Sequence, residues 1–152
     1  VTASVAACEA RISCNVDACS DCVHVLQSVA ELMAIRAGME PVRANRLALA
    51  VDELFANIMR HGYAGGLGRV EMEATLDLNA DGRRRLVFTF RDYAPCIENM
   101  DWPDTRPRGE QIRPGGLGLC LIHAVMDEVH HEALDDGNRW CLTAYLNERE
   151  GA

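Results

Sequence analysis

The chain has 152 residues, 49% hydrophobic and 25% charged, which suits one soluble globular domain of about residues 1–152 around a single core. Its net charge of −8 excludes a general nucleic-acid binder, which needs a basic face against phosphates, and no apolar run approaches the ~20 residues of a membrane span. Every basic residue other than histidine is arginine, so a P-loop lysine, a Schiff-base lysine and a Ser-Lys dyad are excluded.

Taken in chain order, residues 9–16 (EARISCNV) alternate loosely and predict a strand. Asp17 to Gly38 predicts a helix, with Asp17 as its cap, Gly38 as its stop, and Leu26, Val29, Ala30, Met33 and Ala37 at helical spacing. Pro41 suits the first turn of a second helix reaching about His61, with an apolar stripe of Leu47, Val51, Leu54 and Ile58 and a stop at Gly62. Residues 68–79 alternate strictly through Val70, Met72, Ala74, Leu76 and Leu78, and the turn Asn79-Ala80-Asp81-Gly82 leads into a hairpin partner at 84–91. Residues 93–114 hold most of the prolines and predict a long loop, which in a compact domain is usually functional. Gly115 to Glu128 predicts a short helix opened by glycines, and 129–134 and 139–147 predict two strands around Asp135-Asp136-Gly137-Asn138. Early helices and late hairpin strands predict an α+β, two-layer α/β sandwich: a mixed, mostly antiparallel sheet with helices on one face.

No basic stretch followed by an apolar core opens the chain, so no secretory signal is expected. The seven cysteines, Cys8, Cys14, Cys19, Cys22, Cys96, Cys120 and Cys141, are odd in number and mostly sit in apolar stretches. They predict a reducing, cytoplasmic setting in which thiols act as small buried hydrophobes.

Three segments carry chemistry. Glu53-x-x-x-Asn57-x-x-x-His61 stacks polar groups on one helix face beside the apolar stripe, where a carboxylate and an amide oxygen can serve as a base and a Mg²⁺ ligand. Alone, it is a polar helix edge, with His61 favourable near the helix C-terminus. Asp92 leaves the strand at 84–91 into a loop, where it can accept from a ligand N–H such as an adenine amino group; alone, it is a turn-initiating aspartate. Arg113-Pro114-Gly115-Gly116-Leu117-Gly118-Leu119 runs into a helix, and glycines at a helix start let backbone N–H groups approach a phosphate. It is no Rossmann fingerprint, since it follows a long loop rather than a strand.

In this order, Glu53/Asn57, then Asp92, then Gly115-Gly116-x-Gly118 resemble the N, G1 and G2 boxes of the GHKL (Bergerat-fold) superfamily, nearest to its anti-sigma-factor serine kinases. The phrases LALAVDELFANIMRHGY, GGLGLCLIHAVMDEV and GNRWCLTAYL carry the likeness over nearly the whole chain.

The resemblance implies that Glu53 is the catalytic base, that Asn57 binds Mg²⁺, that Asp92 contacts adenine beside Ala94, and that Gly115, Gly116, Leu117 and Gly118 cradle the phosphates of ATP. The loop at about 93–114 would be the ATP lid; by their position in it, and not by any motif, Arg106, Arg108 or Arg113 could neutralise the transferring phosphate. It further implies a cytoplasmic, homodimeric protein-serine kinase that phosphorylates an anti-anti-sigma (STAS) partner and sequesters a sigma factor. One departure stands out. The G1 box usually reads Asp-x-Gly-x-Gly, whereas this chain has Asp92-Tyr93-Ala94-Pro95-Cys96. That leaves open a second reading, a non-catalytic binding module with weakened or lost nucleotide use. A third, the ATP-binding domain of a histidine kinase, lacks a dimerisation helix with a phospho-acceptor histidine.

Cys19-x-x-Cys22 with His24 has no second cysteine pair, and adjacent His130 and His131 would point to opposite faces of a strand, so neither is assigned a metal. Trp102 falls in the lid, and Trp140 opens the last strand, where burial is the expectation.

Overall fold

The chain runs β1 (Ala10–Asp17), α1 (Val23–Arg36), α2 (Pro41–Asn57), a π-helical turn (Ile58–Gly62), β2 (Arg69–Leu78), β3 (Arg84–Asp92), α3 (Gly116–Val125), β4 (Glu128–Leu134) and β5 (Gly137–Tyr145). These elements come from a computed structural model that describes residues 8–17, 22–64, 66–95 and 116–148.

The strands form one sheet in the order β1-β2-β3-β5-β4, and every described pairing is antiparallel. Among the described residues the expected mostly antiparallel sheet is antiparallel at every pairing, with no parallel pair to make it mixed. β3 and β4 run in the same direction but are not neighbours, because β5 lies between them and pairs antiparallel with both. Alternation places Val70, Met72, Ala74 and Leu76 of β2, Leu86, Phe88 and Phe90 of β3, and Trp140, Leu142 and Ala144 of β5 on the buried face. They share one core with Leu26, Ala30 and Met33 of α1 and Leu47, Val51, Leu54 and Phe55 of α2. Helices on one face of an antiparallel sheet are what the sequence pattern requires. Complete burial of a phenylalanine such as Phe55, Phe88 or Phe90 is worth roughly 1.5–3 kcal/mol, so this layer contact dominates stability.

Local chemistry sets the helix ends. At α1, Gly38 adopts φ 82°, its N–H donates to Ile35 O (2.9 Å), and Met39 N–H donates to Ala34 O (3.0 Å), a Schellman stop with Met39 buried behind it. At α2, the Glu40 carboxylate accepts from the N–H groups of Val42 and Arg43, both at 3.1 Å, with Pro41 in the first turn.

Four boundaries differ from expectation. Asp17 ends β1 instead of capping α1, because it stays in register with Arg69. The predicted helix to His61 changes to a π turn at Ile58, where Tyr63 N–H reaches back to Ile58 O (3.1 Å). Glu128 opens β4 instead of closing α3, since Asp127 N–H already donates to Thr143 O (2.8 Å) and draws the chain into the sheet. β5 starts two residues early, at Gly137, paired with Leu134. Among the described residues no helix is long and apolar enough to cross a membrane.

Candidate nucleotide site

Glu53 and Asn57 lie four residues apart on the last turns of α2, both partly exposed at the rim of the core. Arg60 Nη2 donates to Asn57 Oδ1 at 3.1 Å and stands 4.0 Å from Glu53 Oε2. This helix edge is thus a pair of hard oxygen donors that already attracts a cationic group. The donor chemistry fits Mg²⁺, which takes carboxylate and amide oxygens and keeps several waters. The Arg60 side chain is 56% exposed, so withdrawing it into solvent would break no buried contact. His61 is exposed on the π turn.

Asp52 adjoins this edge, and its Oδ1 is buried without a hydrogen-bond partner. Burial pushes its pKa above the ordinary aspartate range and the neighbouring Glu53 charge adds to the rise, against a smaller lowering by His24.

The π turn is pinned to the exit of β3. Tyr63 Oη donates to Arg69 O (2.6 Å) and accepts from Tyr93 N–H (2.8 Å). One residue earlier, Gly62 packs so closely that a methyl built on it would lie 2.9 Å from Ala94 Cβ. Ala94 is 2% exposed, so its methyl, which replaces the first G1 glycine, is buried against Gly62. It also lies outside the positive-φ region, where an alanine would be strained.

Asp92 ends β3 opposite Asn138 and is 1% exposed. Its Oδ1 accepts from Ala94 N–H (3.1 Å) and Asn138 Nδ2 (3.0 Å), and its Oδ2 accepts from Trp140 Nε1 (2.9 Å). Asn138 Oδ1 lies 2.9 Å from His131 Nε2, and the His131 ring lies against the Trp140 indole with centroids 4.1 Å apart. With Asn138 Nδ2 committed to Asp92, its Oδ1 is the acceptor, so His131 Nε2 carries the hydrogen. Gly137 makes this approach possible: at φ 150°, a Cβ there would lie 2.0 Å from Asp92 O. Sequence reasoning missed His131, Asn138 and Trp140 as partners of Asp92. Their only visible signal was the turn at 135–138, because the register joining them to β3 is a long-range property.

α3 opens at Gly116, so Gly116, Leu117 and Gly118 form its first turn. Its C-terminal half (Leu121, Ala124, Val125) lines a groove with Val42, Arg43 and Arg46 of α2. The C-terminal half of α3 thus packs beside the first turns of α2. Gly115, Arg113, Arg106, Arg108 and Cys96, most of the lid at 93–114, and Cys19 and Trp102 lie outside the described residues. Cys22 Sγ donates to Asp17 O (3.3 Å).

Residues 17–144 match the family described as the histidine kinase-like ATPase domain. The chain belongs to that family. Membership implies an ATP-binding domain, and it agrees with the GHKL resemblance of the three boxes. This ATPase domain is 26% identical over 140 residues to a serine-protein kinase RsbW of Bacillus pumilus, covering 90% of this chain and 86% of the relative. It is 29% identical over 120 residues to a serine-protein kinase RsbW of Listeria monocytogenes, covering 78% and 76%. In fold it is similar to the histidine kinase domain of a blue-light activated histidine kinase from Erythrobacter litoralis, with a TM-score of 0.55 at 16% identity, over 84% of this chain and 61% of that one.

Proposed function

We propose that this domain is a Mg-ATP-dependent protein-serine kinase that phosphorylates an anti-anti-sigma (STAS) partner and, as a homodimer in the cytoplasm, sequesters a sigma factor. The observation that carries the reading is the contact between the first two boxes, made by the π turn that follows Asn57 and the exit of β3 after Asp92. The Glu53–Asn57 edge of α2 continues through the π turn onto Ala94, and glycines open α3. The likeness to serine-protein kinases over most of their length supports it.

In this reading Glu53 takes the proton of the incoming serine hydroxyl, the serine Oγ forms a bond to the γ-phosphorus, and the bond to the β–γ bridging oxygen breaks to release ADP. Asn57 holds Mg²⁺, which neutralises phosphate charge when bound. Asp92 marks the base end beside Ala94. Gly115, Gly116, Leu117 and Gly118 receive the phosphates, and lid arginines such as Arg113 balance the transferring charge. Glu53→Ala is expected to lose at least about a hundredfold in phosphate transfer to a STAS protein while retaining ATP affinity, as for removal of a general base. Transfer at the normal rate by that variant would remove Glu53 from the role.

One observation favours the second reading, a binding module with weakened nucleotide use: both Asp92 oxygens already have internal donors. Calorimetry with Mg-ATP separates the two, since an absence of heat and of thermal shift at millimolar nucleotide supports the binding module alone.

A further inference from the structure

The donors that surround Asp92 are a property of this chain. Oδ1 is held by the backbone of Ala94 and the side chain of Asn138; Oδ2 is held by the indole N–H of Trp140 at 2.9 Å. Asp92 and Trp140 are 1% and 3% exposed, and His131 and Asn138 close the ring around them. A 6-aminopurine offers a buried carboxylate one exocyclic N–H on the edge of a flat aromatic ring. An indole offers the same: one N–H on the edge of a flat ring. Both recognise the same acceptor with the same geometry.

We propose that Trp140 is an intramolecular competitor for the base. Its indole holds the Asp92 oxygen that an adenine amine would use, and so sets how strongly this domain prefers adenine over other purines. The inference rests on the reading of Asp92 as the base-end residue. Since Oδ1 already has two donors, Oδ2 is the oxygen left to a ligand, and the indole must shift or share it. Affinity for ATP is lowered accordingly, and preference for the 6-amino group is blunted, because a base that cannot donate leaves Asp92 satisfied by Trp140 rather than bare.

Trp140→Phe retains an aromatic ring against His131 and removes the donor. Calorimetry compares Mg-ATP with Mg-inosine triphosphate, whose 6-oxo group accepts where adenine donates. In the unaltered chain the two are expected to bind within roughly threefold of each other; in Trp140→Phe the preference for ATP is expected to rise to about tenfold or more, the value of a hydrogen bond to a charged acceptor. Inosine triphosphate serves as the internal control for any general loss of folding. An ATP preference unchanged by the substitution overturns the proposal while leaving the ATP site intact. Should the variant fail to fold, Trp102→Phe leaves Trp140 as the single indole, whose emission must change at saturating ATP; unmoved emission overturns the proposal. Failure of both chains to bind either triphosphate sinks the nucleotide-binding reading and this inference with it.

Discussion

Gly62 and Ala94 meet at the junction of the π turn and the exit of β3, where a methyl on Gly62 would stand 2.9 Å from the Ala94 methyl carbon. Carbon atoms prefer about 3.5–4.0 Å, so the contact leaves no room for a second side chain. In this way the substitution in the G1 box is absorbed by a glycine on another element.

Gly62→Ala is therefore expected to destabilise the domain by about 1–3 kcal/mol, the usual range for overpacking a closed contact. Gly62 does not have a positive φ, so the cost is steric. Ala94→Gly in the same chain should recover most of it. Urea unfolding of the two single variants and the double variant measures the coupling, and additive effects would show that the two methyl positions do not compete.

Gly137→Ala tests the approach of β5 to Asp92. The added Cβ would lie 2.0 Å from Asp92 O and 2.8 Å from Tyr93 Cα, both backbone atoms that cannot swing aside, at φ 150°. A loss of about 3 kcal/mol or more is expected, or a fall in Tm of about 6–12 °C. Tryptophan emission should change with it, because Trp140 loses its fixed partner. An unchanged Tm would mean that β5 is not held at this distance.

Asp52 gives a pH test with a definite sign. Its pKa in the folded state is raised by burial and by Glu53, so the folded state binds the proton more tightly than the unfolded chain does. Stability is favoured by protonation at low pH and declines as pH rises from the unfolded value, about 3.9, through the raised folded value. Asp52→Asn removes that charge. The variant should be more stable than the parent at neutral pH by less than about 1 kcal/mol, after allowance for solvent screening, and the gain should vanish below about pH 4. Chemical denaturation at pH 7 and pH 4 checks both arms; a variant less stable at pH 7 would show that the Asp52 charge has a stabilising partner.

Much of this protein is legible in local sequence patterns. The alternation through Val70–Leu78 and the stripe Leu47–Val51–Leu54–Ile58 are local periodicities, so strands, helices and the helical face of the sheet followed from them directly. The order of Glu53, Asn57, Asp92 and the glycines carried the family resemblance that the match over residues 17–144 bears out, because a polar spacing of four on a helix and glycines at a helix start are patterns within a few residues. Which residues meet across the sheet comes from the packed fold alone. The register of β3 with β5 sets Asn138 opposite Asp92 and brings Trp140 to its second oxygen, β5 inserts between β3 and β4, and the π turn seats Gly62 on Ala94. These contacts join residues 32 to 48 positions apart, and such pairings depend on the packing of whole elements, on which a local pattern of residues carries no information.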